Sequence, residues 1–490
     1  MNNIRKIYFS VFFTNIVTFA SVVFAYFAYS KFLTPSEFGV YSVALALNNF
    51  GTLFLETGTR NAIIKTQVEG NENSLKGGIT FYILSFSILL IFVFLMGKVF
   101  IGRIYPAIIN DYSWICSFLS IFWISSAFIV VPTSFLEKNL QYSKITWVES
   151  LSVVLERAVP VLFMSFFSYK LMAFTVLAFI SRFLKLIVLN VYSSSCIFSK
   201  KKDFINAKRI LKESVWIQFS MSSSFIRDNL HVLIIGPLYG KLWVGYYAWG
   251  MQLATLTSQV FVQVFSRLSV SISARYSSFE DRWKLVQNQV IYLSYITTPA
   301  LTVTLMLIPY VNELFFHGKW NETIIILPFL FARMIPSIST TPIAALLLVD
   351  KDVKIYAQFL WAWTIIEVIC CLLFVYIGSA HGLAWSLSIS AWFGVWLLTY
   401  YHNISFFSVL KMLIFSNVFV VSLAFYGLFC LINVFITMNL TSTVLTCLFF
   451  IGFAYLSDYK LLLGLLNFLG LNSIITVFNK LFNFNINTKN

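Results

Sequence analysis

The chain is a succession of apolar stretches about twenty residues long, broken by short polar turns and once by a dense basic segment. Twenty helical residues rise about 30 Å, the thickness of a bilayer's hydrocarbon core. The pattern therefore predicts membrane-spanning helices, paired into hairpins where the break is short. Six come first: Tyr8–Ser30 with Gly39–Thr59, Gly78–Gly102 with Ser113–Phe135, and Thr146–Ser168 with Leu171–Ser193. Six follow: Ser214–Pro237, Val244–Ala274, Gln289–Val311, Thr323–Val349, Ile355–Gly378 and His381–Tyr401. Leu410–Ile436 and Leu440–Leu463 bring the expectation to about fourteen, and the tail from Gly464 reads as a mildly amphipathic surface segment. A β-barrel would show short alternating segments instead.

One hairpin occurs twice. Phe32–Leu47 reads FLTPSEFGVYSVALAL and Leu238–Leu253 reads LYGKLWVGYYAWGMQL. Each gives a polar break, an apolar residue before glycine (Gly39, Gly245) and a tyrosine two places on (Tyr41, Tyr247). Glycine early in the second helix lets two backbones approach closely, and tyrosine suits the membrane interface. The repeat divides the chain into 1–198, a six-helix lobe; 199–213, a basic linker; 214–405, a second six-helix lobe; 406–463, two added helices; and 464–490, a tail.

Composition agrees with a polytopic membrane protein: 59% of residues are hydrophobic and only 11% charged, against about 25% charged in a soluble domain. The basic start and apolar stretch of Met1–Ser30 resemble a signal peptide, but the apolar part is too long, and it is read as the first span. The net charge of +15 is placed for a membrane rather than for nucleic acid. With the N-terminus inside, cytoplasmic loops collect roughly twenty-two Lys and Arg against about six outside. Lys200, Lys201, Lys202, Lys208, Arg209 and Lys212 form the densest cluster, suited to anionic lipid. Both termini are then expected in the cytoplasm. The six cysteines lack CxxC spacing and the four histidines lack ligand spacing, so no metal or disulfide is expected. There is no Walker A sequence and no catalytic constellation, which argues against an enzyme.

Several stretches carry a family resemblance. FLTPSEFGVYSVALALNNFGTLFLETGTRNAII resembles the opening of bacterial polysaccharide-unit flippases of the multidrug/oligosaccharidyl-lipid/polysaccharide (MOP) exporter superfamily. RDNLHVLIIGPLYGKLWVGYYAWGMQLA, from Arg227, is similar to that family's seventh and eighth helices. LFFHGKWNETIIILPFLF, from Leu314, resembles its loop before the tenth helix, and FLEKNLQYSKI, from Phe135, its charged loop between helices four and five. The resemblance implies an all-α, MATE-like fold, two pseudo-symmetric six-helix lobes in a V around a cavity with two helices added. It implies translocation of undecaprenyl-diphosphate-linked oligosaccharide units across the bacterial inner membrane for O-antigen, capsule or exopolysaccharide assembly. The expected partners are the lipid-linked substrate, anionic lipids, and the polysaccharide polymerase and chain-length machinery; no cofactor is expected. A multidrug or small-cation exporter of the same superfamily is the alternative, favouring an acidic and aromatic cavity. A membrane polysaccharide polymerase fits less well, because every outer loop is short.

An anionic diphosphate needs a cationic path, and charges inside spans normally face a cavity or a partner. Arg157, Arg182, Arg227, Arg267 and Arg333 lie inside expected spans. Arginine's planar fork suits a diphosphate. The implied V places Arg227 and Arg267 on cavity-lining helices, and Arg60, at the cytoplasmic end of the second span, where the head group enters. Arg333 and Glu367 lie near mid-span on consecutive antiparallel helices, close enough in register to pair across them. Arg182 and Lys185 share a helix face near its inner end, where snorkelling accounts for both. Glu156 and Arg157 are adjacent and point apart. Asp228, Glu56 and Glu367 are candidates for ion coupling; hydrogen-bonded partnership with a neighbouring arginine is the alternative. Pro160, Pro336 and Pro342 fall inside spans, where each frees a carbonyl and permits a kink.

Overall fold

The computed structural model describes residues 2–57, 59–60, 63, 72–139, 141–167, 169–193, 204–273, 278–350, 353–415, 417–435 and 440–457. Among them there are helices and turns and no strand. The main elements are α1 (Asn2–Phe32), α2 (Pro35–Thr52), α3 (Glu72–Met96), α4 (Tyr112–Lys138), α5 (Tyr142–Val153), α6 (Met172–Ser193) and α7 (Phe204–Asp228). They continue as α8 (Gly236–Ser273), α9 (Phe279–Phe316), α10 (Asn321–Asp350), α11 (Val353–His402), α12 (Phe406–Phe415), α13 (Asn417–Phe435) and α14 (Leu440–Ser457). Seven of the described helices are long and apolar enough to cross a membrane. Three shorter apolar helices, Val17–Phe32, Val420–Ile432 and Leu440–Tyr455, fall on further expected spans. The eleventh and twelfth expected spans both lie within α11, as two helices separated by non-helical backbone at Gly378 and Ser379. The tail from Gly464 and Lys200–Lys202 of the linker lie outside the described residues.

Contacts divide the chain into two units: Met1–Trp249 with Cys371–Leu383, and Gly250–Cys370 with Ala384–Asn490.

In the first unit the two repeated hairpins turn by different chemistry. Thr34 caps α2: its hydroxyl accepts from the Glu37 amide at 3.2 Å, and Glu37 accepts from the Thr34 amide at 2.8 Å, with Pro35 at the first helical position. The second copy has no such cap and bends at Gly240, whose φ of 81° is open to glycine. Their equivalent glycines then meet. A β-carbon on Gly39 would overlap the Lys241 carbonyl oxygen and lie 3.0 Å from the Gly245 nitrogen. One on Gly245 would overlap the Pro35 carbonyl oxygen and lie 3.2 Å from the Gly39 nitrogen. Pro35 and Lys241 each precede their own glycine by four residues, so the contact is reciprocal, backbone against backbone. Nearby, Trp249 is fully buried, stacks on Tyr26 and donates to Ser30 Oγ at 2.5 Å, tying α8 to α1.

Four loops of this unit converge. Asp111, after the third span, accepts from Lys241 and from Tyr169, each at 2.7 Å. Lys170 donates to the Phe32 carbonyl at 2.7 Å and stands 3.9 Å from Glu37. Burial, then the Asp111 carboxylate, pushes the Tyr169 phenol well above its ordinary pKa, keeping it a neutral donor. The bend in α11 reaches the same end, where Tyr247 donates to the Ala380 carbonyl at 2.7 Å. Loops after the first, third, fifth, seventh and eleventh spans share one end, as alternating crossings require.

The second unit has its own core, with Val286, Val290, Leu293, Ile338, Phe359 and Val395 fully buried. In the same unit the HGKW loop is held by its own turn and cap. His317 and Gly318 take left-handed conformations, φ 52° and 73°, ending α9. Trp320 is fully buried and its amide donates to Asn312 Oδ1 at 3.0 Å.

Candidate functional site

The charged groups inside the spans are largely paired. In the first unit Arg182 on α6 stands 3.1 Å from Glu156 and 3.7 Å from Glu56, with its guanidinium 4.3 Å from the centre of the Phe122 ring. Ser126 donates to Glu56 at 2.5 Å and Ser181 to Glu156 at 3.1 Å. Arg182 therefore does not snorkel to the helix end; two carboxylates hold it between helices. Both acids sit on π turns, Leu53–Thr57 and Val154–Ala158. The second has a visible cause. Pro160 lacks an N–H and its ring crowds the carbonyl four residues back, which favours a wider turn; the Val159 amide bonds Val154, five back. Tyr29 donates to the Arg157 carbonyl in the same loosened stretch.

Arg60 pairs side-on with Glu137, Nε to Oε2 at 2.6 Å and Nη2 to the other oxygen. Glu137 is buried while Arg60 remains part exposed. Arg227 ends α7, buried, and donates to Ser224 Oγ at 3.2 Å. The adjacent Asp228 is exposed, and a third π turn, His231–Ile235, follows at once. In the second unit Arg333 on α10 pairs with Glu367 on α11 at 3.0 Å, with Glu367 fully buried. The expected cross-helix pair is thus present. Arg267 lies on α8, its side chain outside the described residues. The structure brings Glu56 into one network with Arg182 and Glu156, while Arg60 takes Glu137 as its ion-pair partner and Arg333 takes Glu367. Sequence reasoning misses Glu137; Glu156 it counts, with Glu56, Glu149, Asp228 and Glu367, among the intramembrane acids but gives no partner, and Pro160 is the sequence signal for the loosened turn that carries it. Among the described residues no group of three or more His, Cys, Asp or Glu could hold a metal.

Known proteins share this architecture. "Lipid II flippase MurJ, inward closed conformation" matches with a TM-score of 0.74 at 14% identity, covering 93% of this chain and 99% of that one. An inward-facing multidrug resistance MATE family transporter of the MOP superfamily matches at 0.58 and 14% identity, covering 80% and 96%. The MATE multidrug transporter DinF-BH matches at 0.54 and 14% identity, covering 83% and 96%. Among curated proteins, none matches the chain. These likenesses show the fold: the described residues form the helical, multi-pass membrane architecture that the flippase and MATE structures share. Residues 28–325 match the family described as "Polysaccharide biosynthesis protein", and the chain belongs to that family.

Proposed function

We propose that this protein flips undecaprenyl-diphosphate-linked oligosaccharide units across the bacterial inner membrane, for O-antigen, capsule or exopolysaccharide assembly. The observation that carries the reading is membership of a polysaccharide-biosynthesis family in a chain with a transporter fold. The two lobes are read as residues 1–198 and 214–405, with both termini cytoplasmic. Arg227 and Arg267 bind the diphosphate, and Arg60 and Arg333 contribute if their carboxylate partners yield them. Asp228, Glu56 and Glu367 are the ion-coupling candidates. The substrate's polymerase and chain-length machinery are the expected downstream partners.

Charge-assisted hydrogen bonds of the kind assigned to Arg227 contribute about 1.5–3 kcal/mol, roughly ten- to a hundredfold in an equilibrium constant. The test is complementation of a flippase-deficient strain by Arg227→Ala and Arg267→Ala, with surface polysaccharide and membrane protein level measured together. Lost polysaccharide at a normal protein level supports the assignment, and Arg→Lys should restore part of it because charge survives without the fork. Normal polysaccharide in both alanine variants removes the assigned role. Similarity to multidrug MATE transporters supplies the second reading, a small-cation exporter, which predicts rescue of drug resistance and no rescue of polysaccharide.

A further inference from the structure

Between α1, α5 and α6 the first unit holds a groove of about 570 Å³ with almost wholly apolar walls, among them Trp147, Leu151, Leu184 and Val188. Trp147 and Leu151 are largely exposed, so the groove opens on the outside of the helix bundle. Ser150, Ser152 and Ser181 also line it, and one wall residue is charged. Lys185 lines the groove, and among the described residues no carboxylate lies within ion-pair distance of its ammonium. The neighbouring cation, Arg182, is engaged by Glu56 and Glu156. Glu149, Glu156 and Glu56 act on the Lys185 ammonium only from beyond ion-pair distance and are opposed by Arg182, so in a mostly apolar groove at membrane depth it still gains from an anion or water in direct contact.

A second cation marks the groove's end. Tyr192 lines it one residue before α6 stops, and Lys144, at the start of α5, lies over the Tyr192 ring at 5.6 Å. Seven residues separate Tyr192 from Lys185, about 10 Å along the helix. The groove thus has a basic, aromatic mouth at the membrane surface, a second positive charge about two turns deeper, and hydrocarbon walls. We propose that it binds an anionic phospholipid, with the phosphate between Lys144 and Lys185 and one acyl chain along the groove. Charge selects the headgroup, and the volume suits one chain of ordinary acyl length. The polyprenyl tail of the proposed substrate is much longer than such a groove. The lipid is a resident partner of the first unit and does not depend on what the protein transports.

The test uses the full-length protein purified in detergent, with retained lipid counted by native mass spectrometry and binding followed by the shift in unfolding midpoint on adding phosphatidylglycerol or phosphatidylcholine. The wild type should retain phosphatidylglycerol and be stabilised by it in preference to phosphatidylcholine. Lys185→Gln and Lys144→Gln should each weaken that preference roughly fivefold. Leu151→Trp fills the groove without touching either lysine and should abolish the retained lipid. Unchanged phosphatidylglycerol retention in Lys185→Gln, or in Leu151→Trp, overturns the proposal. So does displacement of phosphatidylglycerol by equimolar undecaprenyl phosphate, which would reassign the groove to the substrate's lipid class.

Discussion

The contact between Gly39 and Gly245 can be tested by adding a single methyl group to either side. Gly39→Ala puts a β-carbon onto the Lys241 carbonyl, overlapping its oxygen and standing 2.9 Å from its carbon. Non-bonded carbons rest at about 3.5–4.0 Å, so the helices must part by roughly 1 Å at the crossing. The obstacle is backbone on a helix, which has no rotamer to give. Overpacking of this kind costs about 1–3 kcal/mol. Parting also loses close Cα–H···O contacts worth about 0.5–1 kcal/mol each. Against this, alanine is the better helix former by about 1 kcal/mol. Gly427 and Gly452 isolate that gain, since both sit in helices with nothing within 4 Å of a built β-carbon. We expect Gly39→Ala and Gly245→Ala each to lower the unfolding midpoint relative to Gly427→Ala and Gly452→Ala. Because both methyls open one seam, the double variant should lose less than the sum of the two. Thermal denaturation of the purified variants in one detergent checks all five proteins. A Gly39→Ala variant as stable as Gly427→Ala would refute the packing, and strict additivity would refute the reciprocity.

Three further outcomes follow from the charges and the loops. Arg182→Ala leaves Glu56 and Glu156 facing each other without their shared cation, and should cost about 3–5 kcal/mol, read as lost thermal stability; Arg182→Lys should recover part of it. A disulfide between Asp111→Cys and Lys241→Cys should hold the converged loops together, so under the flippase reading transport should stop when oxidised and return on reduction; unimpaired transport by cross-linked protein would show that this end need not open. Cysteines at Lys201 and Lys319 should react unequally with an impermeant thiol reagent on intact cells, Lys319→Cys labelling from outside; equal external labelling would refute the expected topology.

Much of the fold was legible because hydrophobic length and turn chemistry are local. The spans, the equivalence of Gly39 and Gly245, and the pairing of Arg333 with Glu367 follow from periodicity and from short connections that force neighbouring helices antiparallel. The HGKW stretch was legible as a motif, and the structure supplies its cause: a left-handed turn at His317–Gly318 and a buried Trp320 held by Asn312. The partners of Arg60 and Arg182 were not legible. Glu137 lies 77 residues from Arg60, and Glu56 reaches Arg182 only after a π turn rotates the end of the second span. Span-based reading assumes 3.6 residues per turn, and each π turn shifts every later side chain around the helix axis. Pro160 announces one such shift and Pro237, at the same offset after His231–Ile235, a second; for Leu53–Thr57 no comparable residue does.

The pairing also changes how the arginines can serve an anion. A guanidinium already facing a carboxylate presents a diphosphate with a near-neutral pair, and the substrate gains from it only when the carboxylate moves away or takes up a proton. Arg60 with Glu137 and Arg333 with Glu367 are in that condition, and Arg182 is doubly so. Their structural role is sufficient to explain why they are there, since removing one member strands a charge in the bundle. Arg227 is buried at the end of α7 and donates to a hydroxyl, Ser224, four residues before the π turn His231–Ile235 begins. Under the proposed flippase function, Arg227 would exchange its Ser224 bond for one to a phosphate oxygen, and that exchange is what Arg227→Ala removes and Arg227→Lys keeps in part.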